Sequence, residues 1–215
     1  MDYKILKSGI ENKHLSSLSE DERLILCDEI RSKILDVVSK NGGHLASNLG
    51  VVEITVALLS VFDYKKDDIV FDVGHQSYAY KLLTGRLDGF DTLRQKGGVA
   101  GFPRINESPY DKFDTGHSAT AVSAALGFAH ANHLNNSSKT VIAIIGDGAM
   151  TGGPAYEAIN DLGHSKDKVI IILNDNEMSI DKNVGGLSKH MSKLRMSRKY
   201  INAKHDTESF LTKKL

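Results

Sequence analysis

A single cysteine, Cys27, stands in 215 residues, so no disulfide can form within the chain. A lone thiol is the pattern of a reducing compartment. Net charge is missing too: 27 Lys and Arg balance 27 Asp and Glu, leaving no overall field to draw nucleic acid or an anionic membrane surface. No apolar run approaches the ~20 residues that cross a bilayer. Met1-Asp2-Tyr3-Lys4 lacks the charged-then-apolar layout of a signal peptide, and neither repeats nor low-complexity tracts occur. These absences argue against a disulfide scaffold, a membrane span and a nucleic-acid binder. The expectation is a cytoplasmic globular protein with no nucleic-acid and no membrane partner.

What is present suits one large α/β domain: 40% hydrophobic and 25% charged residues, over a length that can bury a sizeable core. The even charge hides an asymmetry, since residues 181–215 carry nine Lys or Arg against three Asp or Glu. We therefore divide the chain into 1–180, the α/β domain, and 181–215, a basic extension of it expected to be mobile. Of that extension, Lys189 to Lys204 can be read as a basic helix or as a loop, and the loop is preferred.

Ser19 and Glu22 make a capping box that opens a helix, with Leu24, Cys27, Ile30, Ile34 and Val37 at helical spacing. Asn41-Gly42-Gly43 stops it, and Cys27 reads as a packed core thiol. A second helix is predicted from Val51 to Val61, a buried strand over Ile69–Val73, and a short helix over Ser77–Leu83. Residues 94–117 are glycine-rich and aperiodic, too long for an idle connection, and read as functional or disordered. The small residues of Ser118 to His133 predict a close-packing helix.

Two apolar β-branched runs, Val141–Ile145 and Val169–Leu173, read as strands buried on both faces. Between them Pro154–Leu162 reads as a helix closed by Gly163, giving a βαβ unit. Such a unit carries both strand ends to one edge of the sheet, where open α/β sheets bind ligands. Gly146-Asp147-Gly148 follows the first strand and Asn174-Asp175-Asn176 the second, with Asp147 and Asn176 29 residues apart. A carboxylate and an amide oxygen meeting there suit one hard cation such as Mg²⁺, completed by water and phosphate. The competing reading makes Asp147 a helix cap. His44, His75 and His117 each follow a glycine near a strand or helix end. Such imidazoles can shuttle protons or bond a phosphate, although capping and core roles are equally open to each. His130, His133, His164, His190 and His205 read as surface residues.

Gly42-Gly43-His44-Leu45-Ala46-Ser47, Asp72-Val73-Gly74-His75-Gln76, Arg94-Gln95-Lys96-Gly97-Gly98, Gly116-His117-Ser118, Gly146-Asp147-Gly148-Ala149 and Asn174-Asp175-Asn176-Glu177-Met178-Ser179-Ile180 occur in order. Together they resemble the 1-deoxy-D-xylulose-5-phosphate synthase family, relatives of transketolase, from about residue 16 to about 190. The sequence departs from that pattern at Asn48, where Gly is more usual, and at Pro154. The resemblance implies a doubly wound, mostly parallel α/β sheet of the thiamine-diphosphate-binding type, incomplete at its C-terminal end. It implies thiamine diphosphate and Mg²⁺ as cofactors, with Asp147, Asn176 and the Met178 carbonyl as metal ligands. It places His75, Gly116, His117 and Ser118 along the cofactor, Gly148 and Ala149 (with Asn176) at its diphosphate end, and His44 facing the substrates. His44, His75 and His117 are the candidate catalytic residues.

The implied reaction decarboxylates pyruvate and joins the two-carbon unit to D-glyceraldehyde 3-phosphate, feeding isoprenoid, thiamine and pyridoxal synthesis in a homodimeric enzyme. By the same resemblance, the glutamate that activates the cofactor belongs to a later domain beyond these 215 residues. Three readings follow: a fragment or truncated copy inactive alone, a subunit of a split enzyme, or a non-catalytic α/β interaction module. The first is preferred.

Overall fold

Three short runs dominated by Ile and Val become three strands: β1 (Asp68–Phe71), β2 (Val141–Gly146) and β3 (Ile170–Asn174). The computed structural model describes residues 3–7, 15–165, 167–175, and beyond these 186, 189, 193 and 196–214. The strands lie parallel in the order β1-β2-β3, with Ile69 beside Ile142 and Ile144 beside Ile172. Parallel strands need crossovers. Helix α5 (Ala121–Leu134) lies on the connection from β1 to β2, and α6 (Gly153–His164) connects β2 to β3.

Alternation along the strands sends side chains to two separate cores. Ile69, Phe71, Ile142 and Ile144 join the side chains of α1 (Glu20–Asn41), α3 (Val52–Val61) and α4 (Tyr78–Lys81). Val70, Val141, Ala143 and Ile145 face Ala121, Val122 and Ala125 of α5, and Ala155 and Ala158 of α6. Helices thus cover both faces, and β2, central in the sheet, is buried along Val141–Ile145. Each fully buried Ile or Leu contributes ~1.5–3 kcal/mol of transfer free energy. The second run is not buried on both faces as expected: β3 lies at an edge of the described sheet, its residues are half-buried, and Ile170 is 41% exposed.

The capping box forms as expected: the Glu22 amide donates to Ser19 Oγ at 3.2 Å, and the Ser19 amide donates to Glu22 Oε2 at 2.8 Å. Gly42 ends α1 at φ +73°. The buried stripe of α1 differs by one position from the expected one. Leu24 is 57% exposed, and Leu26, fully buried, takes its place. Cys27 is buried, and desolvation pushes its thiol up to about 11. β1 ends at Phe71, two residues short of the expected Val73, because Val73 and Gly74 turn to positive φ. α6 runs through Gly163 to His164, since a glycine inside a helix costs only ~1 kcal/mol. His130 and His133 are largely exposed as expected, but their Nδ1 atoms share the carboxylate of Asp167, at 2.7 Å for His133. Those imidazoles, His133 foremost, hold the Asp167 carboxyl below its ordinary range.

Residues 94–117 are folded, and a buried ionic network pins them. Arg86 Nη1 donates to Asp111 Oδ2 at 2.6 Å and to Glu107 Oε1 at 3.2 Å. Lys81, fully buried, pairs with Glu107 and lies 3.8 Å from Asp111. Both carboxylates also hold loop amides: Glu107 accepts from Ala100 N at 2.5 Å and Asp111 from Arg104 N at 2.9 Å. Two cations and two anions cancel, the condition under which buried charge is tolerated.

The chain divides into two compact units, Met1–Met178 and Ser179–Leu215. Within the second, a helix, α7 (Arg198–Lys214), occupies the C-terminal part of the basic stretch we read as a loop. Propensity accounts for the difference, since Lys, Arg, Ala and Glu favour helix even where apolar periodicity is thin.

The ionic network sets one expectation. Asp111→Ala leaves Arg86 and Lys81 sharing one carboxylate, and breaking a buried ionic network typically costs ~3–5 kcal/mol. Urea unfolding should show a loss of about 3 kcal/mol, at the low end because Glu107 remains. A loss under about 1 kcal/mol would mean that the network does not hold the loop.

Candidate active site at the strand ends

Parallel strands deliver all three of their C-terminal ends to one rim; Gly74-His75 leaves it after β1, Gly116-His117 precedes α5, and Gly43-His44 comes from the loop after α1. At the end of β1, Asp72 continues the ladder by donating its amide to the Ile144 carbonyl at 2.7 Å. Its side chain, 1% exposed, turns to α5: Oδ1 accepts from Ala119 N at 2.8 Å and Oδ2 from Ala121 N at 3.0 Å. The first turn of a helix has unpaired N–H groups and positive partial charge, so a carboxylate caps it well. Burial raises the Asp72 carboxyl above its ordinary value, while the backbone donors of Ala121, Ala119 and Thr120 oppose that rise. This bridge fixes Gly116-His117-Ser118, just before α5, beside the end of β1.

The turn after Asp72 is packed too tightly for any side chain at Gly74. At φ +85°, a Cβ there would lie 2.1 Å from Thr115 Oγ1 and 2.5 Å from Pro103 Cδ. Only glycine lets the loop after β1 and the 94–117 loop approach so closely. The next residue, His75, meets His44 edge to face, with ring centroids 5.2 Å apart and planes at 69°. Phe102 stands against the other side of His44 at 5.9 Å. Gly43, at φ +147°, has Tyr78 Oη 2.9 Å from where its Cβ would lie, and Arg94 Cδ stands 3.6 Å from that point. His44, His75, Tyr78, Arg94 and Phe102 thus form one group.

The third wall follows β2. Gly146 is in register with Asn174, and the Asp147 amide donates to the Asn174 carbonyl at 3.3 Å. Asp147 is half-buried and Gly148 exposed, opening a 3-10 turn over Ala149–Thr151. A Cβ at Gly152 would come within 2.5 Å of Ala119 Cβ, so this turn packs against the loop that carries His117. Asp147 does not cap α6, whose cap position is Gly152 with no side-chain bond. Among the proposed metal ligands, Asp147 stands on the rim, while Asn176 and Met178 lie outside the described residues. Gly116, His117 and Ser118 are exposed there, and Ala149 is half-buried.

Three polar atoms in these loops, His75 Nδ1, Gln76 Oε1 and Thr115 Oγ1, are buried without a hydrogen-bond partner among the described residues. An unpaired buried polar group costs ~1–3 kcal/mol, and such groups gather where a ligand or ordered water completes them. Our reading of the sequence missed Tyr78, Phe102 and the roles of Asn48 and Asp72. Their signals were weak: Tyr78 stood in a stretch read as helix, Phe102 in the long loop, Asp72 in a run read as a strand, and Asn48 was only a departure from the family pattern.

Desolvation, then the neighbouring His44, lowers the His75 imidazole; partial burial, then Arg94, lowers His44. Both fall below the ordinary 6.5, so both rings are neutral at pH 7. As pH falls, the unfolded chain takes up protons first. The stability these groups contribute is full above 6.5 and is lost as pH falls through their lowered values. Urea midpoints should therefore drop between about pH 7.5 and about pH 5.5, and His75→Gln should shrink that drop. An undiminished drop in His75→Gln would assign the pH dependence to other groups.

Comparison with known proteins places the chain in a family. Residues 6–215 match the family model described as 1-deoxy-D-xylulose-5-phosphate synthase. The synthase of Clostridium botulinum (strain Alaska E43 / Type E3) is 57% identical over 199 residues, covering 93% of this chain and 32% of that protein. The synthase of Clostridium acetobutylicum is 54% identical over 209 residues, 97% of this chain and 34% of that protein. The chain thus spans about a third of the length of the relatives it matches. Among solved structures, transketolase from Campylobacter jejuni superposes with TM-score 0.68 at 25% identity, over 76% of this chain and 29% of that one. Transketolase from Leishmania mexicana gives TM-score 0.65 at 22% identity, over 79% and 30%. The α/β fold with its parallel sheet is thus shared with transketolases, and the chain belongs to the 1-deoxy-D-xylulose-5-phosphate synthase family.

Proposed function

We propose that this chain is the cofactor-binding part of a 1-deoxy-D-xylulose-5-phosphate synthase, holding thiamine diphosphate and Mg²⁺ at the strand-end rim. The observation that carries the reading is the convergence there of Asp72-anchored His117, His75 with its unpaired Nδ1, and Asp147 beside the end of β3. The residues fit the group. Buried His75 Nδ1, Gln76 Oε1 and Thr115 Oγ1 await polar partners, and a Cβ at Gly116 or Gly146 would meet only open space. The ligand set of Asp147, Asn176 and the Met178 carbonyl is all oxygen, the preference of Mg²⁺.

In this reading Asp147 and Asn176 hold the metal from two adjacent strand ends. Gly148 and Ala149 bring backbone amides to the diphosphate, and the exposed Gly116-His117-Ser118 segment lines the cofactor. Thiamine diphosphate supplies the electron sink for decarboxylating a 2-oxo acid, and the metal neutralises its diphosphate. His75 and His44, neutral at pH 7, can each donate a hydrogen bond without adding charge, or accept a proton and become cationic. The substrates are pyruvate and D-glyceraldehyde 3-phosphate, and the complete enzyme is a cytoplasmic homodimer. Residues 1–180 form the cofactor domain and 181–215 its extension.

Two expectations test the reading. Asp147→Ala should weaken Mg²⁺-dependent binding of thiamine diphosphate by at least the ~10–100-fold that loss of an outer-sphere partner costs. Calorimetry on the full-length synthase carrying this segment decides it, and unchanged affinity would remove Asp147 from the metal site. The second concerns activity: the 215-residue chain, incubated with both substrates, thiamine diphosphate and Mg²⁺, should form no deoxyxylulose phosphate. Loss of one placed acid or base typically costs ~10²–10⁴ in rate, and the activating glutamate is expected in another domain. Product formed at the rate of a full-length synthase would show the catalytic set to be complete here.

A further inference from the structure

Asn48 is a buried carboxamide that the proposed cofactor site leaves unexplained. It belongs to α2 (Ala46–Leu49), is 0% exposed, and makes three side-chain hydrogen bonds, all to the backbone. Nδ2 donates to the carbonyl of His44 at 2.5 Å and to the carbonyl of His75 at 2.7 Å. Oδ1 accepts from the amide of Tyr78 at 2.9 Å. One planar group thus touches the loop after α1, the loop after β1 and the first residue of α4. These three segments are joined by no common strand or helix.

Satisfying the start of α4 would need only an acceptor, which Oδ1 provides. The two donated bonds do something different. A carbonyl held in a hydrogen bond restrains the peptide plane that follows its residue, and so where that residue's Cα sits. A single nitrogen holding two carbonyls therefore restrains two backbone segments, and the side chains they carry, relative to one another. The residues concerned are the two histidines whose rings meet at 5.2 Å. A carboxylate in place of the amide would set oxygen against both carbonyls, and a hydroxyl has one proton to give where two are used.

We propose that Asn48 is a positioning residue whose side-chain nitrogen sets the mutual orientation of the His44 and His75 imidazoles on the strand-end rim. The orientation rests on geometry alone; that the oriented pair faces cofactor and substrate rests on the functional reading. A Tyr78–Gly43 contact beneath the pair supports the same arrangement, because Tyr78 Oη would lie only 2.9 Å from any Cβ there.

Nuclear magnetic resonance of the labelled chain tests the inference. In the unsubstituted protein, scalar couplings across hydrogen bonds should link Asn48 Nδ2 to the carbonyl carbons of both His44 and His75. Cross-relaxation should join the two rings, and both should titrate below 6.5. In Asn48→Ala and Asn48→Ser, which add no charge, the ring-to-ring cross-relaxation should vanish. The His75 midpoint should rise toward 6.5 while the amide spectrum of the sheet stays in place. Unchanged cross-relaxation and midpoints in a folded variant would overturn the proposal. Should both variants unfold, absent couplings in the unsubstituted protein overturn it equally, and present couplings support it. Adding thiamine diphosphate with Mg²⁺ separates the two ideas. Rings that depend on Asn48 but do not respond to the cofactor would retain the positioning role and remove the cofactor reading.

Discussion

A buried carboxylate bonded to the start of a helix holds this site together. Asp72 sits where β1 ends, and its two oxygens take the amides of Ala119 and Ala121 at the entrance to α5. Without that bridge, nothing in strand pairing would bring residues 116–118 beside 74–76, since residues 77–115 lie between them. The interaction is a contest between terms. Burial disfavours the charge, and a fan of backbone donors restores part of what burial removes. A helix terminus is one of the few neutral environments able to do so. The rim is therefore built from the oriented dipoles of the fold, and its polar chemistry starts from a rigid base.

The second support is the ionic network beneath the long loop. Lys81 and Arg86 come from the α4 region and Glu107 and Asp111 from the loop itself, so each pair ties loop to helix. Loops over a sheet end usually have little buried apolar surface to hold them. Here charges compensate in the interior, and the backbone amides of Ala100 and Arg104 complete both carboxylates. Arg94, Phe102, Pro103 and Thr115 are then carried into place as passengers of one ordered segment.

Where physical rules act locally, the sequence was readable. The Ser19–Glu22 box, the strand runs at 141 and 169, and the helix stop at Gly42 each depend on residues within a few positions. One member of the α1 stripe differs, Leu26 for Leu24, because both fit a helical period about equally well and only tertiary packing decides between them. Gly163 looked like a stop, but a helix already held by its buried face continues through a glycine. The long loop was recognised as consequential by its length, yet its order came from pairs 21–26 residues apart, which no period reveals. Asn48 stood out only as a departure from a family pattern. Its partners are brought to it by tertiary structure, so its role could not be read along the chain.

Cys27 gives the fold an internal clock. As the chain's lone thiol, buried on α1 in the core that takes in Ile69 and Ile142, it is pushed by desolvation up to about 11, so little of it is thiolate at neutral pH. Reagents that need a thiolate therefore find nothing to attack while α1 is seated. Once the helix lifts away, the same sulfur reverts to an ordinary thiol and reacts at once. The rate of its modification thus counts openings of the helical layer beneath the sheet, one molecule at a time, with no added label and no competing site.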